Sequence, residues 1–218
     1  MARKDRTGER KSRSNKRNMR VPELGYYLIA TDTKGTERCF FSGLQSALPD
    51  EIKNRIVIKV VETKTHSLID KCLEYCSYDA QYRSPWIVFD RDEVQGFDEI
   101  ILEAEKKGIR VGWSNPCFEI WMYAYFGEMP AIQESWTCCS EFGRVYERKT
   151  GQKYSKVDDQ MYNRLCEKGN EGAAIKIARQ KIDQCIREGK SRPSEMCPAT
   201  TVHELVGEIK EKVNNNTK

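Results

Sequence analysis

The sequence predicts an α/β fold: a parallel sheet flanked by helices, with a helical addition at the carboxyl-terminal end. Three observations carry this expectation. Four short runs rich in aromatic and β-branched residues, at about 26–31, 55–61, 86–90 and 109–113, alternate with amphipathic stretches. That alternation specifies parallel strands joined by right-handed crossovers. The third run stops abruptly in Asp90-Arg91-Asp92, which puts two carboxylates at the carboxyl end of a buried strand, where open α/β sheets bind ligands. Beyond residue 126 the strand pattern gives way to helical periodicity. The expected organisation is a basic disordered arm at 1–20, an α/β core at 21–126, and a mainly helical extension at 127–218 packed on that core.

Taken in order, the first strand ends in the polar turn Asp32-Thr33-Lys34-Gly35-Thr36-Glu37. Thr36 is an N-cap residue by type, and the helix it opens turns Phe40, Phe41, Leu44, Ala47 and Leu48 inward until Pro49 stops it. After the second strand, Thr65 caps a helix with Leu68, Ile69, Cys72, Leu73 and Cys76 on its inner face. After the third, Phe97, Ile100, Ile101 and Ala104 mark another helix, stopped by Gly108. The fourth strand leads into Ser114-Asn115-Pro116-Cys117-Phe118-Glu119-Ile120-Trp121, where Asn115 reads as an N-cap and Pro116 as a first helical residue. Further on, residues 134–146 read as a helix, 151–156 as a loop, and 172–186 as an amphipathic helix ended by Gly189. Thr201-Val202-His203-Glu204 has the form of a capping box before a last helix.

Composition narrows the function. The chain has 218 residues and a net charge of +4, yet residues 1–20 alone carry nine Lys/Arg against two acids. The basic character therefore belongs to the arm: Arg3, Lys4, Arg6, Arg10, Lys11, Arg13, Lys16, Arg17 and Arg20. Such an arm suits nucleic-acid phosphates; a solubilising leader would look the same. No apolar run approaches the ~20 residues of a membrane span, and no apolar signal core follows the basic residues, so a cytoplasmic protein is expected. Nine cysteines, an odd number with no C-x-x-C pair, read as reduced thiols and not as a zinc site. With only His66 and His203 present, histidine-based catalysis is disfavoured.

Alternate carboxylates past a strand end can point their oxygens at one hard cation, and Mg²⁺ takes one or two carboxylates plus water and phosphate oxygens. An acid after strand one with Asp-x-Asp after strand three resembles the Toprim domain of topoisomerases, primases and several nucleases. Within that group the chain resembles the RloB-like proteins of bacterial phage-defence and restriction loci. Four segments carry the resemblance: Asp32-Thr33-Lys34-Gly35-Thr36-Glu37 with Phe40-Phe41, Val88-Phe89-Asp90-Arg91-Asp92, Ser114 through Trp121, and Pro198-Ala199-Thr200-Thr201-Val202-His203-Glu204-Leu205-Val206. The third is the most specific. Three positions depart from the family pattern: Asp32 stands for its leading Glu, Thr33 for its Gly, and Tyr125 for a usual His.

The resemblance implies an Mg²⁺- or Mn²⁺-dependent nuclease acting in abortive infection, with RNA, including transfer RNA, favoured as substrate and an ATPase as a possible partner protein. Without histidine, such an enzyme relies on the ion to activate water and stabilise the phosphorane oxygens. Asp32, Asp90 and Asp92 are the candidate metal ligands. Glu37 and Glu119 join them as candidate catalytic residues, although an acid in a first helical turn is also explained by the helix dipole. Lys34 and Lys156 are candidate phosphate contacts, although a solvated surface amine has the same appearance. Two alternatives stay open: a non-catalytic adaptor that binds nucleic acid or docks the ATPase, and a phosphatase of the haloacid-dehalogenase type, whose nucleophile strand resembles residues 87–92 but normally comes first in its fold.

Overall fold

The structure, a computed structural model, describes residues 22–32, 35–78, 83–92 and 94–217. The basic arm and Lys34 lie outside the described residues. Strands β1 (Gly25–Asp32), β2 (Ile56–Thr63), β3 (Arg83–Asp90), β4 (Arg110–Asn115) and β5 (Ala199–Thr200) form one sheet in the order β2-β1-β3-β4-β5. The first four are parallel, and β5 pairs antiparallel with β4 through Ser114–Thr200 and Asn115–Ala199. The helices are α1 (Thr36–Ser46), α2 (Asp50–Lys53), α3 (Leu68–Tyr78), α4 (Phe97–Lys106), α5 (Glu119–Tyr125), α6 (Ser135–Thr150), α7 (Met161–Lys168), α8 (Glu171–Arg187) and α9 (Val202–Asn216).

The central strands are apolar on both faces, which is why their sequences read as unbroken hydrophobic runs. Alternation then sorts their side chains. Tyr27, Ile29, Trp86 and Val88 pack with α1, α5, α7 and α9, whereas Leu28, Ala30, Ile87 and Phe89 pack with α3 and α4. On the first face, α1 and α7 approach so closely that a Cβ on Gly43 would sit 2.6 Å from Tyr162 Cβ. Register places Asp32 and Asp90, the last residues of β1 and β3, at the same edge. Among the described residues no helix is long and apolar enough to cross a membrane.

Several local expectations are corrected. The N-cap of α1 is Gly35, and Thr36 is the first helical residue, freeing its hydroxyl for a longer-range bond. Pro49 both follows α1 and precedes the short α2. Thr65 opens a 3₁₀ turn, and its hydroxyl donates to Asp32 instead of capping α3. The helix expected at Asn115 starts at Glu119: β4 runs through Asn115 because β5 pairs with it, and the Asn115 amide donates to the Pro193 and Ser194 carbonyls at 3.2 and 3.3 Å. The Thr201 hydroxyl bonds the Val111 carbonyl and the Trp113 N–H and makes no cap bond. Helix α7 and the two-residue β5 were not foreseen: one is short and polar, and the other carries no periodicity.

Candidate metal and phosphodiester site

The site is assembled from five places in the chain. Asp32 ends β1 and Asp90 ends β3; Asp92 follows two residues later, where its N–H donates to the Pro116 carbonyl at 3.1 Å. Glu37 lies in the first turn of α1, and Glu119 opens α5. Tyr154 and Lys156 come from the loop between α6 and α7. The strands end here because polar residues replace the apolar run, so the backbone turns just where the carboxylates can face a common cleft.

Asp32, Asp90 and Asp92 line one open cleft of about 390 Å³, together with Thr65, His66 and Gln95. The Thr65 hydroxyl holds Asp32 from one side. Asp90 Oδ2 accepts one backbone hydrogen bond, from Phe118 N–H at 3.3 Å. Burial pushes the Asp90 carboxyl up to about 7, with Glu119 and Asp92 adding to the shift; the Phe118 N–H and Lys156 oppose it. This is the response of carboxylates crowded without enough positive charge.

Behind Asp90 lies a more enclosed layer. Glu37 is 8% exposed and Glu119 1%. Burial, and next the charge of Asp90, hold the Glu37 carboxyl well above its usual range. Glu119 Oε1 accepts the Tyr154 hydroxyl at 2.6 Å and the Thr36 hydroxyl at 3.4 Å. Lys156 is the one predicted phosphate contact among the described residues, and it faces this layer. Burial works against its charge, but Glu119, Cys139 and Asp90 favour it and leave its pKa raised. Asp90 thus shares its surroundings with every other predicted acid of the site except Asp32, and it shares the cleft with Asp32 itself.

Tyr125, the residue that departs from the family's histidine, takes no part in this cluster. It is buried and donates to Glu171 Oε1 at 2.9 Å, as Tyr162 does at 2.8 Å. Sequence reading missed Thr36, Thr65 and Tyr154 as partners of the acids. A hydroxyl that meets a carboxylate only after folding leaves no local pattern. It also missed a second groove of about 480 Å³ in which Asp92, Arg91 and Asn115 stand beside Trp136. Trp136 is 81% exposed at the start of α6, unusual for the largest apolar side chain.

No curated protein and no solved structure matches the chain. A family model, that of the RloB-like protein, matches residues 27–209. The matched span runs from within β1 through β5 and contains all five predicted carboxylates and the hydroxyl groups that hold them, and on that coverage the chain belongs to the RloB-like family.

Proposed function

We propose that this protein is a divalent-metal-dependent nuclease of Toprim-like architecture, acting on RNA, including transfer RNA, as an effector of anti-phage abortive infection. The observation that carries the reading is the convergence of Asp32, Asp90 and Asp92 on one cleft, with the Asp90 carboxyl driven up to about 7 by burial and neighbouring acids.

The donor chemistry suits a hard cation, which would draw together three carboxylates whose oxygens do not all lie within 4.8 Å of one another. All three side chains offer carboxylate oxygens, as Mg²⁺ and Mn²⁺ prefer, and the cleft is open enough for water and a phosphate to complete a coordination shell. Asp90 and Asp92 would hold the ion, with Asp32 as a further ligand. When bound, the ion supplies Lewis-acid polarisation of the phosphate and lowers the pKa of water. The chain's own residues do the rest. Thr65 fixes the Asp32 carboxylate, and the Phe118 N–H fixes Asp90. Tyr154 and Thr36 orient Glu119. Lys156 supplies a positive charge beside Asp90 and Glu119, suited to a phosphate oxygen.

The adjoining groove supports a nucleic-acid substrate. Exposed Trp136 offers a face on which a base can stack, an interaction worth ~1–3 kcal/mol per base. Arg91 offers a guanidinium for phosphate, and Asn115 lines the same groove. Asp92 belongs to both the groove and the cleft, so a strand lying on Trp136 passes the carboxylates. The basic arm would add salt-dependent affinity.

The test is cleavage of transfer RNA, single-stranded RNA and single-stranded DNA by the purified full chain in Mg²⁺, Mn²⁺ or EDTA, alone and with its candidate ATPase partner. Metal-dependent RNA cleavage, abolished by Asp90→Asn and by Asp92→Asn, is the expected result. Tight RNA binding without cleavage under every condition would replace the nuclease with the adaptor.

A further inference from the structure

A second cluster includes Glu119. Cys117 sits in the connection between β4 and α5, Glu119 is the first residue of α5, and Cys139 lies in the second turn of α6. One ligand atom from each, the two sulfurs and a carboxylate oxygen, lie within 4.8 Å of one another. The sulfurs themselves are 3.8 Å apart and are not bonded as a disulfide.

That separation has a specific meaning. Two thiolates on a tetrahedral zinc ion, each at about 2.3 Å from it, stand about 3.8 Å apart. The thiols are already at the length of one tetrahedral edge, and a carboxylate oxygen stands near enough to supply a third corner. We propose that Cys117, Cys139 and Glu119 bind a thiophilic divalent cation of the zinc class, with solvent in the fourth position. This site is chemically separate from the all-oxygen cleft at Asp32, Asp90 and Asp92, because thiolates select zinc-like ions over Mg²⁺.

Three further observations agree with it. Tyr154 donates to Glu119 at 2.6 Å, the kind of outer hydrogen bond that holds a ligating carboxylate in position. Charge also closes: two thiolates and a carboxylate carry -3, a divalent ion returns +2, and Lys156 faces Glu119, Cys139 and Cys117 with the remaining positive charge. Exposure is graded: Cys117 and Glu119 are 2% and 1% exposed, whereas Cys139 is half-buried. Ordinary core thiols behave as small hydrophobes and have no need of a buried carboxylate as a shared neighbour.

The proposal does not depend on nuclease activity, and its test does not read cleavage. The full chain, purified under reducing conditions and stripped of metal, is titrated with Co²⁺ and with Zn²⁺. One Co²⁺ per chain with a near-ultraviolet thiolate-to-cobalt charge-transfer band, displaced by Zn²⁺ and not by Mg²⁺, is expected. Cys139→Ser and Cys117→Ser should each weaken binding at least ~10-fold, and the Asp90→Asn/Asp92→Asn double variant should keep the band. If Cys117→Ser fails to fold, Cys139→Ser at the half-buried position carries the same test, with melting of the metal-free protein as the control. Absence of a band at one equivalent overturns the proposal, and so does a band that survives Cys139→Ser. Peptide mass analysis that finds Cys117 and Cys139 joined in the isolated protein overturns it in favour of a redox pair.

Discussion

The two ends of the same sheet treat a half-buried carboxylate in opposite ways. Near the amino ends of β1 and β4, Glu208 of α9 receives the Tyr27 hydroxyl, the Arg110 guanidinium and, at 3.2 Å, the Lys212 ammonium. Burial raises its pKa, but these three donors together outweigh it, and the Glu208 carboxyl lies below its usual value. The cations are themselves held, Arg110 over the Trp86 ring at 4.0 Å and Lys212 over the Tyr27 ring at 4.8 Å. At the carboxyl ends, Asp90 has one backbone N–H at 3.3 Å and several acids around it, and its carboxyl rises to about 7. Asp90 is the more deeply buried of the two, has acids for neighbours and has fewer donors, and all three differences set the opposite signs. One end is a finished structural clasp, and the other is short of positive charge in the manner of a site that takes a ligand.

The largest break in this comparison comes from exchanging carboxylate for amide at each end. Asp90→Asn should lower metal-dependent RNA cleavage by ~1000-fold, since the ion's charge contribution is several kcal/mol. Metal-free stability should hold or rise, because a repelling charge is gone. Glu208→Gln should do the reverse, costing about 1–2 kcal/mol of stability through weakened bonds to Tyr27 and Arg110 with cleavage unchanged. Parallel cleavage assays and thermal melts of both variants check the pair. Equal effects on melting and cleavage at both ends would erase the distinction.

A smaller effect is expected next to the cleft. Trp136→Ala should weaken single-stranded RNA binding by ~5- to 100-fold in EDTA, where chemistry is silent, and Trp136→Phe should recover part of it. Fluorescence anisotropy of a dye-labelled RNA provides the readout. Unchanged affinity would move the nucleic-acid path away from the Asp92 groove.

Position, as distinct from charge, is sharpened by Tyr154→Phe. Loss of its hydrogen bond to Glu119 should reduce cleavage by ~10-fold, with a smaller loss than Asp90→Asn and little change in melting. Single-turnover rates separate this from a binding defect.

The smallest effect is in the pH dependence of metal-free stability. The Asp90 carboxyl titrates higher folded than unfolded, so between about 4 and 7 the folded state binds the extra proton and loses stability as pH rises. Glu208, titrating lower when folded, loses its contribution as pH falls through the acid range. Melting temperatures from pH 4 to 8 should therefore show a decline toward neutrality that Asp90→Asn flattens and that Mg²⁺ or Mn²⁺ offsets by binding the folded state. A slope identical in Asp90→Asn would assign the decline to another group, with Glu37, whose carboxyl is raised as well, the next to substitute.

The sequence by itself determined the strand and helix alternation, the parallel sheet, and the placing of Asp32 and Asp90 at one edge. These follow from periodicity and from the position of acids directly after apolar runs, which are local properties of the chain. Short β5, the true start of α5 at Glu119, and the freeing of Thr36 and Thr65 from capping were not legible, because each depends on a partner far away in sequence. Asn115 would suit a helix cap but ends a strand, since Ala199 pairs with it. Only the tertiary structure decided which groups surround each acid. Tyr154 meets Glu119 across 35 positions and Cys139 meets Cys117 across 22, separations at which no spacing rule operates. A carboxylate's presence is written in the chain; whether it is clasped like Glu208 or crowded like Asp90 depends on what the fold brings within a few ångströms of it.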